Sequence, residues 1–218
     1  MLIGSGLCME KKMSYRHYLM MAVALLLLSG CATMNRDECL NADWYLIGYE
    51  DGSVGKLTEQ IGEHRSACAE YAVVPQMEDY LAGHQRGIRS YCTLENGFRQ
   101  GRSGRALNPV CQGELRSAFV AGHRQGYEIY RQAEVVKKWQ KKLSTLKADQ
   151  QSLRQERQTS ETELLAEHTP TERRTKLYQR IRWIESELLR LSDRKLHLKH
   201  RLNDEQLYLE ALERDWQG

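Results

Sequence analysis

The sequence contains few of the residues that interrupt long helices. Only three prolines occur among 218 residues, and residues 128–217 contain no glycine. That stretch is instead rich in leucine, glutamate, lysine, arginine and glutamine, which is the composition of long helices and coiled coils. The sequence therefore predicts an all-α fold whose C-terminal part consists of long helices.

The short motifs of several enzyme classes are also absent. The chain has no glycine-rich phosphate loop and no HExxH, GxSxG or CxxC motif. Without residues 1–30, basic and acidic residues are nearly equal in number, so the basic excess typical of nucleic-acid binding is missing. We therefore expect a protein that is not an enzyme, with no cofactor, no metal site, no nucleic-acid partner and no evident small-molecule substrate.

The beginning of the chain differs in composition from the rest. Lys11, Lys12 and Arg16 are basic, and residues 18–28 form an apolar run. A helix needs about twenty apolar residues to cross a bilayer, so this run is short for a membrane span. A basic segment, a short apolar run and small residues together predict a secretory signal peptide over residues 1–30. The alternative is an N-terminal anchor that stays attached.

A motif that resembles the lipobox of bacterial lipoproteins, LSGC, ends at Cys31. The resemblance implies cleavage before Cys31, a diacylglycerol thioether on its sulfur, and a lipidated tether over residues 31–36. Several acyl chains together would give stable membrane anchoring. Ala32, where an aspartate would imply retention at the inner membrane, points by the same analogy to the outer membrane. The alternative is that Cys31 merely lies near an ordinary cleavage site.

Four further cysteines precede residue 112, namely Cys39, Cys68, Cys92 and Cys111. An even number of cysteines in an exported chain predicts two disulfides, and three pairings are possible. A metal site is the alternative, but the spacing lacks the close cysteine pairs of zinc sites. His64 and Cys68 are one helical turn apart and could share a metal, although a disulfide at Cys68 is the preferred interpretation.

Glycines four residues apart recur in the first half of the chain. The pairs are Gly48 and Gly52, Gly83 and Gly87, Gly97 and Gly101, and Gly122 and Gly126. Such positions share one helix face, and glycine destabilises a helix by about 1 kcal/mol, so a compensating close approach of another helix is predicted. We apply this interpretation to Gly83, Gly87, Gly122 and Gly126. Gly52 and Gly97 follow Asp51 and Asn96 in turn-like dipeptides and are interpreted as turn residues.

Coarse secondary structure follows from the same part of the chain. Helices are expected over residues 56–73 and 77–91, and a glycine- and arginine-rich loop over residues 96–109. His84 and His123 occupy matching places within two of the glycine pairs. We expect them to be exposed polar residues, and a paired ligand site is the alternative.

Together, these features resemble the DUF2799 family of proteobacterial envelope lipoproteins of unknown function, over residues 37–130. The resemblance depends on the order of many weak elements rather than on one strong motif. They are Cys39, Asp43-Trp44, Gly48, Asp51-Gly52, Gly55, Arg65, Cys68, Asp79-Tyr80, Gly83, Gly87, Tyr91-Cys92, Gly97, Gly101, Gly104, Cys111, Phe119 and Gly126. Family membership implies a secreted, cysteine-bridged lipoprotein and supplies no catalytic residues.

The C-terminal part contains a pattern typical of a coiled coil. Apolar residues alternate at spacings of four and three, interrupted by Lys195 and Glu205. This predicted seam comprises Leu177, Ile181, Ile184, Leu188, Leu191, Leu198, Leu202, Leu209 and Leu212. A weaker seam begins at Trp139. Thr169, Pro170 and Glu172 fit a capping box, which predicts a helix start after a turn near residues 168–171.

We therefore predict a small disulfide-bridged helical domain over residues 37–127, followed by a long antiparallel coiled-coil hairpin over residues 128–218. Two separate helices that pair with other subunits are the alternative to the hairpin. The expected function is that of a non-enzymatic outer-membrane lipoprotein, anchored through Cys31, whose hairpin is a periplasmic spacer, scaffold or docking arm for an envelope protein. The alternative function is a peptidoglycan hydrolase or a periplasmic regulator of cell-wall hydrolysis.

Overall fold

The computed structural model describes residues 34–216, and every regular element in that range is helical. The prediction of an all-α fold is therefore confirmed. The predicted signal peptide and Cys31 with its lipobox lie outside the described residues. Within residues 34–216, no helix combines the length and the apolar character that a membrane span requires.

The described part of the chain forms seven α-helices. The first three are α1 (Arg36–Leu40), α2 (Trp44–Ser53) and α3 (Gln60–Cys68), and a 3-10 turn over Ala69–Tyr71 follows α3. The others are α4 (Met77–Tyr91), α5 (Leu94–Arg102), α6 (Arg116–Leu165) and α7 (Thr171–Arg214). Most tertiary packing occurs in three helix pairs, α2 with α4, α5 with α6, and α6 with α7.

Helix α4 has the predicted bounds, whereas two neighbouring predictions are wrong. The helix expected over residues 56–73 is shorter, because only α3 and its 3-10 turn are helical there. The loop expected over residues 96–109 is helical as far as Arg102. It begins as a helix because the Thr93 hydroxyl accepts a hydrogen bond from the Asn96 amide at 3.1 Å and thereby caps α5.

Glycines allow the helices of two pairs to approach until their backbones touch. On α2 and α4 the facing residues are Gly48 and Tyr80, Gly52 and His84, Gly83 and Tyr45, and Gly87 and Tyr49. On α5 and α6 they are Gly97 and Phe119, Gly101 and His123, Gly122 and Leu94, and Gly126 and Phe98. In each helix pair, residue numbers increase in the same direction along both helices, so the two helices run parallel.

The interpretation of Gly52 and Gly97 as turn residues is therefore wrong. Both lie inside helices and face the backbone of the partner helix. The turn residues are instead Gly55 and Gly104, which have φ angles of +78° and +70°. Helix–helix contact outweighs the local turn preference of Asp51-Gly52 and Asn96-Gly97.

The two glycine-rich helix pairs form a tandem repeat. We call α2 with α4 the first unit, and α5 with the beginning of α6 the second unit. In the first unit the Tyr91 ring lies over Gly55, and in the second the Tyr130 ring lies over Gly104. The imidazole Nε2 atoms of His84 and His123 each contact a backbone carbonyl of their own unit at 2.8 Å. The expectation that His84 is exposed is wrong, because it is buried. The two histidines have equivalent structural roles in separate units, and they do not form a paired ligand site.

Each unit has its own disulfide and its own small core. Cys39 pairs with Cys68 and Cys92 with Cys111, which selects one of the three pairings that the sequence left open. Each bond joins the segment before the first helix of a unit to the segment before its second helix. The bonds close loops with sequence separations of 29 and 19, for which chain entropy alone gives about 3 kcal/mol of stabilisation each.

Helices α6 and α7 contain 50 and 44 residues and pack against each other as a hairpin. The predicted capping box at the turn is wrong, because α7 begins at Thr171 with Pro170 as its cap residue. The Thr169 hydroxyl instead donates to the Glu163 carbonyl at 2.6 Å and closes the end of α6. The Arg174 guanidinium donates to the carbonyls of Ala166 and Thr169, each at 2.9 Å, so the turn is tightly fixed.

The predicted seam of α7 faces α6. Its buried members are Leu177, Ile181, Ile184 and Leu191, and its half-buried members are Leu188, Leu198, Leu202, Leu209 and Leu212. The two polar interruptions meet polar residues of α6. Lys195 donates to the Gln150 side chain at 3.1 Å, and Gln132 donates to the Glu205 carboxylate at 2.8 Å. Matched polar layers of this kind fix the register of a coiled coil.

A single helix, α6, belongs both to the second unit and to the hairpin. Its N-terminal part packs against α5, and α7 covers the rest. At the junction the Trp216 ring stacks on Phe98 with centroids 3.7 Å apart, and Arg102 forms an ion pair with Glu213. The end of α7 therefore abuts α5, and the predicted domain boundary at residue 127 falls within a continuous helix.

Candidate functional site

A buried polar network occupies the core of the first unit. The Asp51 carboxylate, on α2, contacts the imidazole Nε2 of His64 at 2.7 Å and accepts hydrogen bonds from the Tyr80 hydroxyl at 2.9 Å and the Lys56 ammonium at 2.9 Å. Asp51, His64 and Tyr80 are all buried. Three different segments therefore converge on one carboxylate, and they do so because the glycines bring α4 against α2.

The network determines the protonation of its members. Burial alone would raise the pKa of Asp51, but the hydrogen bonds from His64, Lys56 and Tyr80 outweigh it and lower this pKa from 3.8 to about 2. Burial, together with the nearby Asp51 carboxylate, raises the pKa of the Tyr80 hydroxyl well above its usual range. Asp51 is therefore ionised and Tyr80 is a neutral hydrogen-bond donor throughout the physiological pH range.

The second unit has no counterpart of this network. Gln100 and Arg105 occupy the places of Asp51 and Lys56 and make the equivalent contact at 3.0 Å. Phe119 occupies the place of Tyr80 and is likewise fully buried, but it has no hydroxyl to donate. The charged network is therefore a feature of the first unit and is not required by the repeat itself.

The network resembles part of an acid–base site, but one of its nitrogen atoms is shielded from solvent. The second imidazole nitrogen of His64, Nδ1, is buried and has no hydrogen-bond partner among the described residues. Since solvent does not reach this atom, a dissolved substrate cannot exchange a proton with it. A groove of about 430 Å³ borders the network, and its lining includes Asp51, Lys56 and His64 together with Met34 and Glu50.

Replacing Asp51 with asparagine is expected to destabilise the first unit and to change its response to acid. A carboxylate whose pKa is lowered on folding stabilises the protein above its unfolded-state pKa, and this contribution disappears as the pH falls. The lowering of the Asp51 pKa corresponds to a stabilisation of the folded state by about 2 kcal/mol at neutral pH. This stabilisation is lost between about pH 4 and pH 2. Urea unfolding at several pH values should show this loss in the wild type and a flatter profile in Asp51→Asn. The exposed Asp79→Asn is the control and should retain the wild-type profile.

A second candidate site lies on the hairpin. A groove of about 460 Å³ runs between α6 and α7. Its apolar residues are Trp139, Leu146, Leu191 and Leu198, and its basic residues are Lys138, Lys141, Lys142 and Arg194. Asp149 is the acidic residue that lines it. The Lys142 ammonium lies over the Trp139 ring, 4.1 Å from the ring centroid.

The structure also tests the metal sites that the sequence suggested. Cys68 is in a disulfide, so a metal shared by His64 and Cys68 is excluded. Within residues 34–216, no group of three or more His, Cys, Asp or Glu side chains is arranged to hold a metal ion. The Asp51 network was not predictable from a local pattern, because its members are distant in the sequence and Asp51-Gly52 is a turn-like dipeptide. The sequence contained one signal for it, namely that Asp51 and Tyr80 each accompany a glycine pair that predicts close packing.

Comparison with known proteins identifies one matching family. The model of DUF2799, described as a protein of unknown function, matches residues 43–128. No curated protein and no solved structure matches the chain. The matched range begins at the cap of α2 and extends just past Gly126, so it contains all four glycine-bearing segments and leaves the hairpin beyond residue 128 outside. The tandem-unit region of this chain, residues 43–128, matches the DUF2799 family.

Proposed function

We propose that this protein is a non-enzymatic lipoprotein of the bacterial outer membrane whose hairpin is a periplasmic spacer and docking arm. The observation that carries the proposal is the α6–α7 hairpin, which extends from a small disulfide-bridged head. At 1.5 Å per residue, the 44 residues of α7 span roughly 65 Å. An arm of this length can place a binding surface far from the point of anchoring.

The hairpin has the rigidity that an arm needs. Its apolar seam extends along α7, and the two polar layers that interrupt it, at Gln150 and Gln132, fix its register. Arg173 forms a bidentate ion pair with Glu163 at 2.7 and 2.8 Å, beside the carbonyl contacts of Arg174 at the turn. The position of the tip relative to the head is therefore well defined, which favours docking over loose tethering.

The beginning of the described chain is compatible with anchoring through Cys31. Met34 is buried in the core of the first unit, beside Cys39 and Cys68. A lipid on Cys31 would therefore hold the head close to the membrane surface, because only two residues separate Cys31 from Met34. The tip of the hairpin, roughly 60 Å along α6 from Gly126, would then be free to meet a partner in the periplasm.

The anchor is tested by expressing the full chain and its Cys31→Ser variant in a Gram-negative host. We expect the wild type to incorporate radioactive palmitate and to fractionate with the outer membrane, and the variant to lose the label. Cys8→Ser is the matched control and should keep both properties. Equal labelling of wild type and Cys31→Ser would contradict the lipoprotein assignment.

The non-enzymatic character is tested separately with purified peptidoglycan sacculi. We expect incubation with the purified protein to release no soluble muropeptides, since the sequence carries none of the HExxH, GxSxG or CxxC motifs of common enzyme classes. Release of muropeptides that disappears in a heat-denatured sample would favour the alternative, a cell-wall hydrolase, and would exclude a purely structural role.

A further inference from the structure

We propose that the groove between Trp139 and Arg194 binds an acidic amphipathic helix of a partner protein. The proposal deepens the function suggested above and rests on it, because it assigns the docking surface of the arm. The groove combines a partly apolar floor with a basic rim, so an occupant that fits it is both apolar and acidic.

The charges on this edge of the hairpin change from complementary to repulsive along its length. Near the tip, Arg173 pairs with Glu163, and one heptad further Arg180 pairs with Glu156 at 2.6 Å. The next seven-residue step places Asp149 opposite Glu187. The step after it brings Lys142 and Arg194 to equivalent positions, and both line the groove. Two cations thus face each other where the pattern near the tip would place an acid and a base.

The four basic residues of the groove lack the ion pairs that six arginines of the hairpin form. Most hairpin arginines form ion pairs with glutamates, namely Arg157, Arg173, Arg180, Arg182, Arg190 and Arg201. Lys138, Lys141, Lys142 and Arg194 form no ion pair with any other residue between 34 and 216. Four cations at a groove that Asp149 alone lines with a carboxylate favour an anionic occupant.

The floor of the groove favours an occupant that is also apolar. Trp139 and Leu198 are only half-buried although they belong to the predicted seams, and Leu146 and Leu191 lie deeper. The Trp139 ring lies near two cations, with the Lys142 ammonium 4.1 Å and the Arg201 guanidinium 5.8 Å from the ring centroid. A simple anion such as phosphate would leave this apolar surface exposed.

The shape of the groove favours a helix. Its residues on α6 extend from Lys138 to Asp149, which corresponds to roughly 17 Å or three helical turns. A trough between two helices accepts the apolar face of a third helix with anchors at i, i+3 or i+4, and i+7. Leucines at these positions would contact Trp139 and Leu198, and flanking glutamates would lie near Lys142 and Arg194.

The test uses purified full-length protein in detergent and three labelled probes, with binding followed by fluorescence anisotropy. The first probe is an amphipathic helical peptide with leucines at i, i+3 and i+7 and glutamates on both flanks. The second has lysines in place of the glutamates, and the third is a scrambled acidic peptide of the same composition. We expect the first to bind at least tenfold more tightly than either of the others. Equal binding of the acidic and basic helices would overturn the proposal.

The variant Lys142→Glu separates binding from folding. It would place a carboxylate opposite Arg194, as Glu156 lies opposite Arg180, so we expect the melting temperature to rise by roughly 1–3 °C. The same variant should lose at least tenfold in affinity for the acidic helix. The control Arg190→Glu changes a cation outside the groove and should leave the affinity unchanged. Unaltered affinity in Lys142→Glu would show that the groove is not the binding site.

Two further outcomes separate lipid binding and loss of the anchor from the proposed helix binding. The helix proposal is wrong if phosphatidylglycerol in mixed micelles binds the wild type, fails to bind Lys142→Glu and displaces the acidic helix. In that case the groove binds lipid headgroups. Since the assay uses detergent-solubilised protein, it does not depend on the lipid anchor. Failure of peptide binding would leave palmitate labelling unaffected, and a missing anchor would leave peptide binding unaffected.

Discussion

Replacing Gly48 or Gly83 with alanine is expected to unfold the first unit under conditions in which the wild type is stable. A methyl group at Gly48 would overlap the backbone carbonyl of Tyr80, and one at Gly83 would overlap that of Tyr45. Backbone atoms cannot move aside as a side chain can, so α2 and α4 would have to separate. Overpacking of this kind costs about 3 kcal/mol or more, and separation would also disrupt the Asp51 network.

The control for this experiment is Gly62→Ala in α3. A methyl group there meets no atom within 4 Å, and the helix gains from the substitution. We expect Gly62→Ala to raise the stability by about 0.5–1 kcal/mol. Urea unfolding followed by circular dichroism gives both values. If Gly83→Ala is as stable as the wild type, the parallel packing of α2 and α4 is incorrect.

The second large effect is expected at the hairpin seam. Ile184 is fully buried and Leu191 nearly so, and both face α6. Replacing both with aspartate removes two large apolar side chains, each of which contributes about 2–5 kcal/mol, and introduces charges without partners. We expect α6 and α7 to separate beyond the second unit, with a large loss of helical circular dichroism and a lower melting temperature.

The head should survive this change, because its two cores and two disulfides do not include α7. Hydrogen exchange should therefore show lost protection in α7 and retained protection in α2 and α4. The exposed pair Arg182→Gln and Arg190→Gln is the control, since each removes only a surface ion pair, which contributes little to stability. A seam variant that melts like this control would mean that the seam is misassigned.

The hairpin was predictable from the sequence because its signal is periodic and repeated many times. Each seam residue contributes independently to the pattern, so Lys195 and Glu205 did not obscure it. Even these interruptions are satisfied by Gln150 and Gln132 from the facing helix. The capping residues were less predictable, since the Thr169 hydroxyl serves the end of α6 instead of the start of α7.

The head was predictable only in part, because its decisive contacts link residues that are distant along the chain. Gly52 has the same spacing from Gly48 as Gly87 has from Gly83, yet the local turn preference of Asp51-Gly52 concealed this equivalence. The disulfide pairing and the Asp51–His64–Tyr80 network depend on how α2, α3 and α4 meet. No local pattern determines that meeting, and the buried carboxylate was therefore missed.

The continuity of helix α6 determines how a mechanical force passes through the molecule. Between Gly126 and its end at Leu165 it contains neither glycine nor proline, so it has no hinge. A sideways force at the tip acts on it as on a lever whose short end is clamped by α5, and the torque reaches Phe119 and the Cys92–Cys111 bond. Whatever pulls on the distal end of this molecule therefore loads its cross-linked base directly.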